Sequence, residues 1–397
     1  MGESKRGRDP LHAMPQGSRG IASAAQVVAM KRLLLLGAGH AHLAVLAALA
    51  RRRIPGADVV LVSPNERFIY SGRVPGLMAG RFDQNECSID LAPLAEAAGV
   101  NFLRGRAAAI DAEAQTVTLA DGRCVDYDVL SLDTGGTQDR DRLPGARDNA
   151  LFLRPMEGFV ELWQRTLELA AERELDVVVI GNGAAGVEIA LALRRVLASR
   201  CSVSLVCDGD LLPSHGPAVR RRAIGALHCS GVQVVPGRCT AIEPWHVVLG
   251  TLRLACDVPI VAIGSDAPSW LASSALALDA QGFVRIGATL QSPSHPNVFA
   301  AGDVSVRDDQ PHARSGVYAV RAGPVLANNL RRFVSGGELQ PYRPQRRALY
   351  LLSTGDGRAI ASWGAWSAEG RWVGRWKDRI DGAFLTRFGK FDQVAKK

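Results

Sequence analysis

The chain has 397 residues, enough for roughly two or three domains of ordinary size. Its composition, 47% hydrophobic and 22% charged, is that of a globular protein, and no apolar run reaches the ~18 residues of a membrane-spanning helix. The net charge of +8 is terminal, with twelve Lys and Arg against five Asp and Glu in residues 343–397, so the sequence does not predict a nucleic-acid-binding face.

Residues 1–29 are basic and aperiodic, and the first strand pattern begins directly after Met30. The apolar stretch 21–30 is too short and too polar for the core of a secretory signal. We interpret 1–29 as a disordered tail, or as sequence upstream of a true start at Met30.

The seven cysteines have no C-x-x-C spacing; they stand at positions 87, 124, 201, 207, 229, 239 and 256. Metal clusters and dithiol redox centres usually carry such pairs. The sequence therefore predicts no metal site and no redox disulfide. Reduced thiols are typical of a cytoplasmic protein.

The first predicted element is a strand–turn–helix unit. The strand 31–36 leads into a glycine-rich turn, an Ala/Leu-rich helix to about Arg53, and a second strand over 58–62. A turn of the G-x-G-x-x-G type lets the backbone approach a diphosphate at the helix N-terminus. The pattern predicts a dinucleotide site formed by Gly37, Ala38, Gly39, His40, Ala41 and His42.

A second unit of the same kind begins with the strand 176–180. Its turn contains Gly181, Gly183 and Gly186, and a helix over 187–198 and a strand over 202–206 follow. Continuous apolar strands that alternate with helices predict parallel sheets buried on both faces. A single turn of this type is a weak signal, but two of them about one domain apart indicate two nucleotide sites.

A third apolar strand, over 297–301, ends in Gly302-Asp303. Because the second unit lies between the first and the third, we expect an α/β protein with two Rossmann-like, three-layer parallel-sheet domains, the second inserted in the first. The predicted boundaries are 30–150 with 271–335 for the first domain, 151–270 for the second, and 336–397 for a small C-terminal α+β segment.

Three positions depart from the usual dinucleotide pattern. His42 replaces the third glycine of the first turn, and for both His40 and His42 local hydrogen bonding at a helix start and a catalytic role stay open. Where a carboxylate often binds a ribose hydroxyl, the chain has Ser63 in the first unit, and Cys207 followed by Asp208 in the second. The sequence does not separate NADH from NADPH.

With Leu132-Asp133-Thr134-Gly135-Gly136 added, these motifs resemble the pyridine nucleotide-disulfide oxidoreductase superfamily over about residues 31–335. The resemblance implies bound FAD, with Thr134 and Gly135 at the flavin site and Gly302-Asp303 at the ribityl chain, and NADH or NADPH in the second domain. A helix N-cap is the alternative for Asp303.

Residues 70–80 lie where the disulfide members carry their redox cysteines, and they contain none. The chain is in this respect closer to type II NADH dehydrogenases and sulfide:quinone reductases. Three segments, Gly-His-Ala-His at 39–42, Ser-Gly-Arg-Val-Pro-Gly-Leu at 71–77 and Trp-Lys-Asp-Arg-Ile-Asp at 376–381, resemble a narrower group. That group is the NADH dehydrogenase-like proteins that occur alone or fused to selenide, water dikinase.

That resemblance implies electron transfer from nicotinamide through flavin to a diffusible acceptor such as a quinone. Glu188 matches a glutamate that faces the flavin–nicotinamide junction, although an acid in a first helical turn is also stabilised by the helix dipole. Pro75 matches a loop along the flavin ring, and Arg73 is a candidate to neutralise a reduced flavin or a substrate anion. Arg321 and Ala322 replace glutamines found near the quinone in type II dehydrogenases, so the acceptor stays open.

Four of the seven tryptophans lie between 363 and 376. A helix would place on one broad face Trp372, Val373, Trp376, Ile380, Ala383, Phe384 and Phe388. An apolar face bordered by Arg375 and Arg379 is typical of a helix lying in a membrane interface, which would make the protein peripheral on the cytoplasmic face of the inner membrane. Docking on the chain itself or in a homodimer is the alternative.

The sequence thus favours an FAD-dependent NAD(P)H oxidoreductase with a quinone or another small acceptor. A sulfide- or selenium-compound:acceptor oxidoreductase is the second hypothesis and requires a cysteine beside the flavin. A partner or sensor protein in which FAD is structural is the third.

Overall fold

The computed structural model describes residues 30–197 and 201–389. The expectations for residues 1–29 lie outside these residues.

The first 150 residues contain most of one parallel sheet and two small antiparallel sheets, β3-β4 and β6-β7-β8. The elements are β1 (Lys31–Leu36), α1 (His40–Arg51), β2 (Ala57–Ser63), β3 (Arg67–Ile69), α2 (Val74–Met78), β4 (Ser88–Asp90), α3 (Leu91–Ala98), β5 (Asn101–Arg104), β6 (Ala107–Asp111), β7 (Thr116–Leu119), β8 (Cys124–Asp126), β9 (Val129–Leu132) and α4 (Ala146–Asn149). Short 3₁₀ turns occur at 71–73 and 85–87.

The next stretch contains the second parallel sheet. Its elements are β10 (Leu151–Phe152), α5 (Met156–Glu172), β11 (Asp176–Ile180), α6 (Ala184–Leu197), β12 (Ser202–Cys207), α7 (Pro217–Ser230), β13 (Gln233–Pro236), β14 (Ala241–Glu243), β15 (His246–Leu249), β16 (Leu252–Ala255) and β17 (Val258–Val261).

The chain then returns to the first sheet before it forms a C-terminal module. The elements are β18 (Val284–Ile286), β19 (Val298–Ala300), β20 (Ser305–Arg307), α8 (Gly316–Val334), β21 (Tyr350–Ser353), β22 (Ala359–Trp363), β23 (Trp366–Gly370) and α9 (Arg371–Gly389). Further 3₁₀ turns occur at 269–271 and 302–304.

Both large sheets are parallel throughout. The first has the strand order β19-β9-β1-β2-β5 and the second β10-β17-β11-β12-β13. The four leucines 33–36 of β1 are essentially inaccessible to solvent, and they lie in one apolar cluster with residues of α1, α3, α8 and the β6–β8 sheet. The prediction of an α/β protein with two Rossmann-like parallel sheets is confirmed.

Strand β19, the short strand before Gly302-Asp303, pairs with β9 in the first sheet. All five strands of the second sheet lie in sequence between these two neighbours. Helix α2 of the first part packs on α6 of the second, where Val74 and Met78 join the same apolar cluster as Val187. This contact brings the two predicted nucleotide sites towards each other.

The C-terminal module is the antiparallel sheet β21-β22-β23 followed by α9. Helix α9 packs on this sheet and on β4 of the first domain. The predicted apolar face of this helix is divided between the protein and the solvent. Val373 and Phe388 are buried against the protein, whereas Trp372, Trp376 and Ile380 are 50%, 36% and 42% exposed on another side of the helix.

Two acidic residues determine which side of α9 faces the rest of the protein. Asp381 is buried and accepts hydrogen bonds from the Tyr70 hydroxyl (3.0 Å) and from Lys377 (2.8 Å). Asp378 pairs with Arg81 at 2.7 Å. Both partners outside the helix belong to the first domain, so polar contacts that a periodicity argument does not contain fix which side of α9 faces inward.

Candidate active site

The first glycine-rich turn meets the Gly302-Asp303 turn at the carboxyl ends of β1, β9 and β19. Gly37 has φ +90°, and a Cβ on it would lie 2.5 Å from the carbonyl oxygen of Asp133. A Cβ on Gly302 would lie 2.6 Å from Oδ1 of the same aspartate. Thr134 and Gly135 follow directly, and the Thr134 backbone lies against Gly37. Five of the predicted flavin residues therefore lie together at one sheet edge, where parallel sheets bind nucleotides.

His42 fills the place of the third glycine with a buried, fully bonded side chain. One ring nitrogen is 2.5 Å from the carbonyl oxygen of Gly37, and the other is 2.8 Å from the Ser131 hydroxyl. Burial lowers the pKa of His42 to about 4, so its ring is neutral at pH 7. These contacts favour the local hydrogen-bonding interpretation over catalysis or cofactor contact.

His40 lies at the start of α1 inside an aromatic cluster. Its ring contacts Phe68, Tyr70 and Phe384, and Tyr70 stacks on Phe384 with 4.6 Å between ring centroids. Burial lowers the pKa of His40 to about 4. Helix α9 thus supplies an aromatic side chain directly beside the first nucleotide turn.

Asp303 has a partner that the sequence did not indicate. Arg154, which follows β10, donates a hydrogen bond of 2.8 Å to the Asp303 carboxylate. The backbone N–H of Arg154 in turn donates to Gln138, whose amide reaches the carbonyl oxygens of Val261 and Ile263. This network links the second sheet to the flavin side. It could not be found from local patterns because Arg154 and Asp303 are 149 positions apart.

The second turn has the close packing that its glycines suggest. Gly181 has φ +145°, and a Cβ on it would lie 2.5 Å from the Ala262 carbonyl oxygen, while a Cβ on Gly186 would overlap the carbonyl oxygen of Gly181. Gly183 differs, because a Cβ there would meet no atom within 4 Å. Packing within the protein does not require glycine at this position. A diphosphate bound above the helix N-terminus would require glycine here, because a side chain would occupy the same space.

The two predicted ribose contacts lie at the expected strand ends. Ser63 is buried, and its hydroxyl donates to the carbonyl oxygen of Asn65 at 3.1 Å. Asp208 is exposed, with its carboxylate 4.0 Å from Arg238. A carboxylate beside an arginine does not discriminate between NADH and NADPH, and both residues stay predictions.

Glu188 lies on α6 where this helix meets the C-terminal sheet. Its carboxylate accepts a 2.7 Å hydrogen bond from the backbone N–H of Ser353. Burial raises the pKa of Glu188 to about 7, partly opposed by the nearby charge of Lys377. Pro75 is in α2, the helix that packs on α6. The predicted pair is therefore brought into one region.

Arg73 is held by the loop that precedes β4. One guanidinium nitrogen donates to the carbonyl oxygen of Glu86 at 2.7 Å, and the planar group lies 4.4 Å from the Phe82 ring centroid. Its Nε atom is buried with no hydrogen-bond partner among the described residues. An orphaned donor of this kind fits an absent acceptor.

These residues fit FAD on three observations from the structure itself. Gly37 and Gly302 permit a close backbone crossing that any side chain would fill. The hydroxyl of Ser315, at the N-cap of α8, is buried with no partner among residues 30–197 and 201–389. A Cβ on the next residue, Gly316, would lie 3.2 Å from His40. The N-termini of α1 and α8 thus meet beside the crossing of Gly37 and Gly302.

The cysteines do not offer a reactive thiol beside this place. Cys87 is buried 4.0 Å from the carbonyl oxygen of Arg73, and burial raises the pKa of its thiol to about 12. Because the thiolate is the nucleophile, such a thiol is unreactive at neutral pH. All seven cysteines are free, and no cluster of three metal-ligating side chains occurs in the described part of the chain.

Known proteins are similar to this chain in sequence and in fold. It is 26% identical over 356 residues to the demethylphylloquinone reductase NdbB of Synechocystis sp., covering 85% of this chain and 88% of that one. It is 27% identical over 350 residues to the type II NADH:quinone oxidoreductase NdhA of Mycobacterium tuberculosis, covering 77% and 73% of the two chains.

A solved structure and a family model give two further similarities, one in fold and one in sequence. The structure of NDH2 from Plasmodium falciparum in complex with NADH superimposes with a TM-score of 0.77 over 91% of this chain and 98% of the other, at 14% identity. At that identity the likeness shows the fold. The model of the pyridine nucleotide-disulphide oxidoreductase family matches residues 31–323, the span that contains both glycine-rich turns and Gly302-Asp303. The chain therefore belongs to the pyridine nucleotide-disulphide oxidoreductase family.

Proposed function

We propose that this protein oxidises NADH or NADPH and passes the electrons through bound FAD to a quinone, without a redox disulfide. The observation that carries the proposal is the packing of α2 on α6, which joins a flavin-type glycine crossing to a second glycine-rich turn. The names of two relatives, a demethylphylloquinone reductase and an NADH:quinone oxidoreductase, favour a quinone as the acceptor.

Bound FAD would supply the two-electron chemistry, and the protein supplies position and charge. Gly37, Gly39, Gly302 and Asp303 form the crossing that would hold the cofactor, and Gly181, Gly183 and Gly186 the turn that would hold the nicotinamide nucleotide. Glu188, on α6 beside the C-terminal sheet, is a carboxyl group that is half-protonated near pH 7, so it is suited to hold or release a proton there.

The test is anaerobic mixing of the yellow protein with NADH and with NADPH, followed by addition of a soluble quinone. We expect one or both nucleotides to bleach the visible flavin band and the quinone to restore it. A flavin that neither nucleotide bleaches would contradict the proposal and favour a structural FAD. Bleaching without reoxidation by quinone would support an NAD(P)H oxidoreductase and would contradict a quinone as its electron acceptor.

Gly183 gives a sharp variant for this test. Gly183→Val places a side chain in open space, so we expect the protein to fold and keep its FAD while losing bleaching by NAD(P)H. Gly158→Val in α5 is the matched control, because its Cβ also meets no atom within 4 Å. Equal bleaching in both variants would show that the second turn does not receive the nucleotide.

We also propose that the C-terminal module docks on the surface of an anionic membrane. Trp372, Trp376 and Ile380 are exposed on α9, with Trp363 and Trp366 exposed in the adjoining β22–β23 turn. Exposed arginines at 371, 375 and 379 accompany this apolar face. Aromatic side chains with basic neighbours are suited to a lipid headgroup region. No helix among the described residues is long and apolar enough to cross a bilayer.

Vesicle flotation tests this second proposal. We expect the protein to float with anionic vesicles and the Trp372→Ala, Trp376→Ala, Ile380→Ala variant to remain in solution. Trp245→Ala is the control, since Trp245 is 64% exposed in the second domain. Light scattering without lipid tests the alternative, a homodimer that forms through the same face. If the triple substitution dissociates a dimer, and neither form floats with vesicles, this face is a dimer interface and the membrane proposal is wrong.

A further inference from the structure

Asp133 is a buried carboxyl group at the crossing of the two flavin-side turns. Its exposed fraction is 3%, and it follows directly on β9. Its Oδ2 accepts a 2.8 Å hydrogen bond from the backbone N–H of His42, and the N–H of Ala41 also donates to this carboxylate. Asp133 therefore occupies donors in the first turn of α1, where a diphosphate of a bound dinucleotide is expected.

Few donors of this turn remain for a ligand. The N–H of Gly37 donates to the carbonyl oxygen of Val62, and the N–H of Gly39 donates to the backbone oxygen of Asp133. Among the described residues, the backbone amides left without an acceptor in the turn 37–42 are those of Ala38 and His40. A diphosphate bound there would share one small group of amides with the Asp133 carboxylate.

The Asp133 side chain has no room to withdraw. Its Oδ1 lies where a Cβ on Gly39 or on Gly302 would overlap it, so the two glycines close over the carboxylate from both sides. The His42 N–H that holds Oδ2 belongs to the first turn of α1. A bound diphosphate would therefore have to coexist with Asp133 in place.

Among residues 30–197 and 201–389, the donors to this carboxyl group are backbone N–H groups, and no charged side chain pairs with it. It lies at the start of α1, where burial lowers the pKa values of His40 and His42 to about 4, so both rings are neutral. From the 302–304 turn it faces Asp303, another carboxylate, which is paired with Arg154. Burial, with a further contribution from Asp303, raises the pKa of Asp133 to about 7 even before a ligand adds negative charge.

We propose that Asp133 is a proton-coupled positioning residue, which takes up a proton from solvent when the diphosphate of FAD binds at the N-terminus of α1. Two anions held by neighbouring amides of one helix start, in a desolvated place, cannot both stay ionised, and protonation leaves the carbonyl oxygen of the acid to accept from His42. Protonation requires no other reactant. The inference rests on FAD binding, the first part of the proposed function.

The test measures proton uptake instead of turnover. The flavin-free full-length chain is titrated with FAD by calorimetry in buffers of different ionisation enthalpy. The titrations run from about pH 6 to about pH 9, because this range brackets the pKa of about 7 that Asp133 has without a ligand. We expect uptake approaching one proton per FAD at the upper end. The affinity should fall by up to about tenfold per pH unit above the pKa of free Asp133.

Asp133→Asn keeps an acceptor for the His42 N–H and removes the charge. We expect this variant to bind FAD with no proton uptake and with a dissociation constant that changes little with pH. Asp126→Asn, which removes an exposed carboxylate from β8 in the same domain, should behave as the parent. Fluorescence of FAD released on dilution of the flavin-loaded proteins gives a second, independent reading of the same pH dependence.

The outcomes separate the two proposals. A chain that binds no FAD at any pH overturns the proposed function itself. FAD binding with an enthalpy that does not depend on the buffer, or with equal proton uptake in the parent and in Asp133→Asn, leaves the function intact and overturns the role of Asp133.

Discussion

The guanidinium of Arg154 lies 2.8 Å from the carboxylate of Asp303, although one residue follows the first strand of the second sheet and the other follows the last strand of the first. The Asp303 side chain is 12% exposed and that of Arg154 37%. A hydrogen-bonded ion pair at this depth orients the aspartate that the family resemblance places at the ribityl chain, and it ties the two domains together.

Arg154→Ala should weaken FAD binding by roughly tenfold to a hundredfold, because it leaves the Asp303 carboxylate without its charged donor. Arg154→Lys should recover part of the loss, since an ammonium keeps the charge without the planar fork. Fluorescence of released FAD measures both. Equal retention of FAD by Arg154→Ala and the parent would show that the pair does not support the flavin site.

The raised pKa of Glu188 predicts a pH-dependent stability. The native state holds this proton up to about pH 7, whereas the unfolded chain releases it near 4.5, so the contribution of Glu188 to stability is lost as pH rises between those values. Glu188→Gln can still accept from Ser353 and does not ionise. The variant should equal the parent at acid pH and exceed it by on the order of 1 kcal/mol near pH 8. Urea unfolding at several pH values measures this difference, and parallel curves would contradict the prediction.

Two neighbouring aspartates in α9 should differ sharply in their effect on stability. Asp381→Ala leaves Lys377 buried without its carboxylate and should cost about 3 kcal/mol, the usual consequence of breaking a buried pair. Asp378→Ala removes a half-exposed pair with Arg81 and should cost less than about 1 kcal/mol. Chemical denaturation gives both values, and proteolysis should cut near α9 first in the Asp381 variant. Similar losses in the two variants would contradict the burial argument.

The thiol of Cys87 should be dispensable. Its pKa is raised to about 12, so we expect Cys87→Ser to keep NAD(P)H-dependent flavin bleaching and quinone reduction within about twofold of the parent. Alkylation followed by mass spectrometry should label the exposed Cys124 and Cys229 before Cys87. Loss of acceptor reduction in Cys87→Ser, with normal flavin bleaching, would instead support the sulfide- or selenium-compound hypothesis.

The parts of the site that depend on neighbours in sequence could be predicted. The strand–turn–helix patterns identify Gly37, Gly181 and their sheets, because a buried parallel strand is a continuous apolar run and a tight crossover needs glycine. The short apolar strand before Gly302 was also predicted, although its pairing with β9 was not.

The parts that depend on distant contacts could not be predicted. Nothing local indicates that Asp133 reaches the amides of α1, or that Arg154 reaches Asp303. Which part of the apolar face of α9 is buried could not be predicted for the same reason. Apolar periodicity predicted a single face, whereas Lys377 and Asp381 turn inward because Tyr70 and the Gly72 carbonyl oxygen lie there to receive them.

Strand β19 is synthesised long after its neighbour β9 in the first sheet, and this order affects how the nascent chain can fold. On the ribosome, β9 is complete at residue 132, but its outer neighbour is not made until residues 298–300. Throughout the interval the nascent first domain presents an open, apolar sheet edge that invites wrong pairing. Truncated products that stop before residue 298 should therefore precipitate, and the flavin pocket can close only after the whole second domain has left the ribosome.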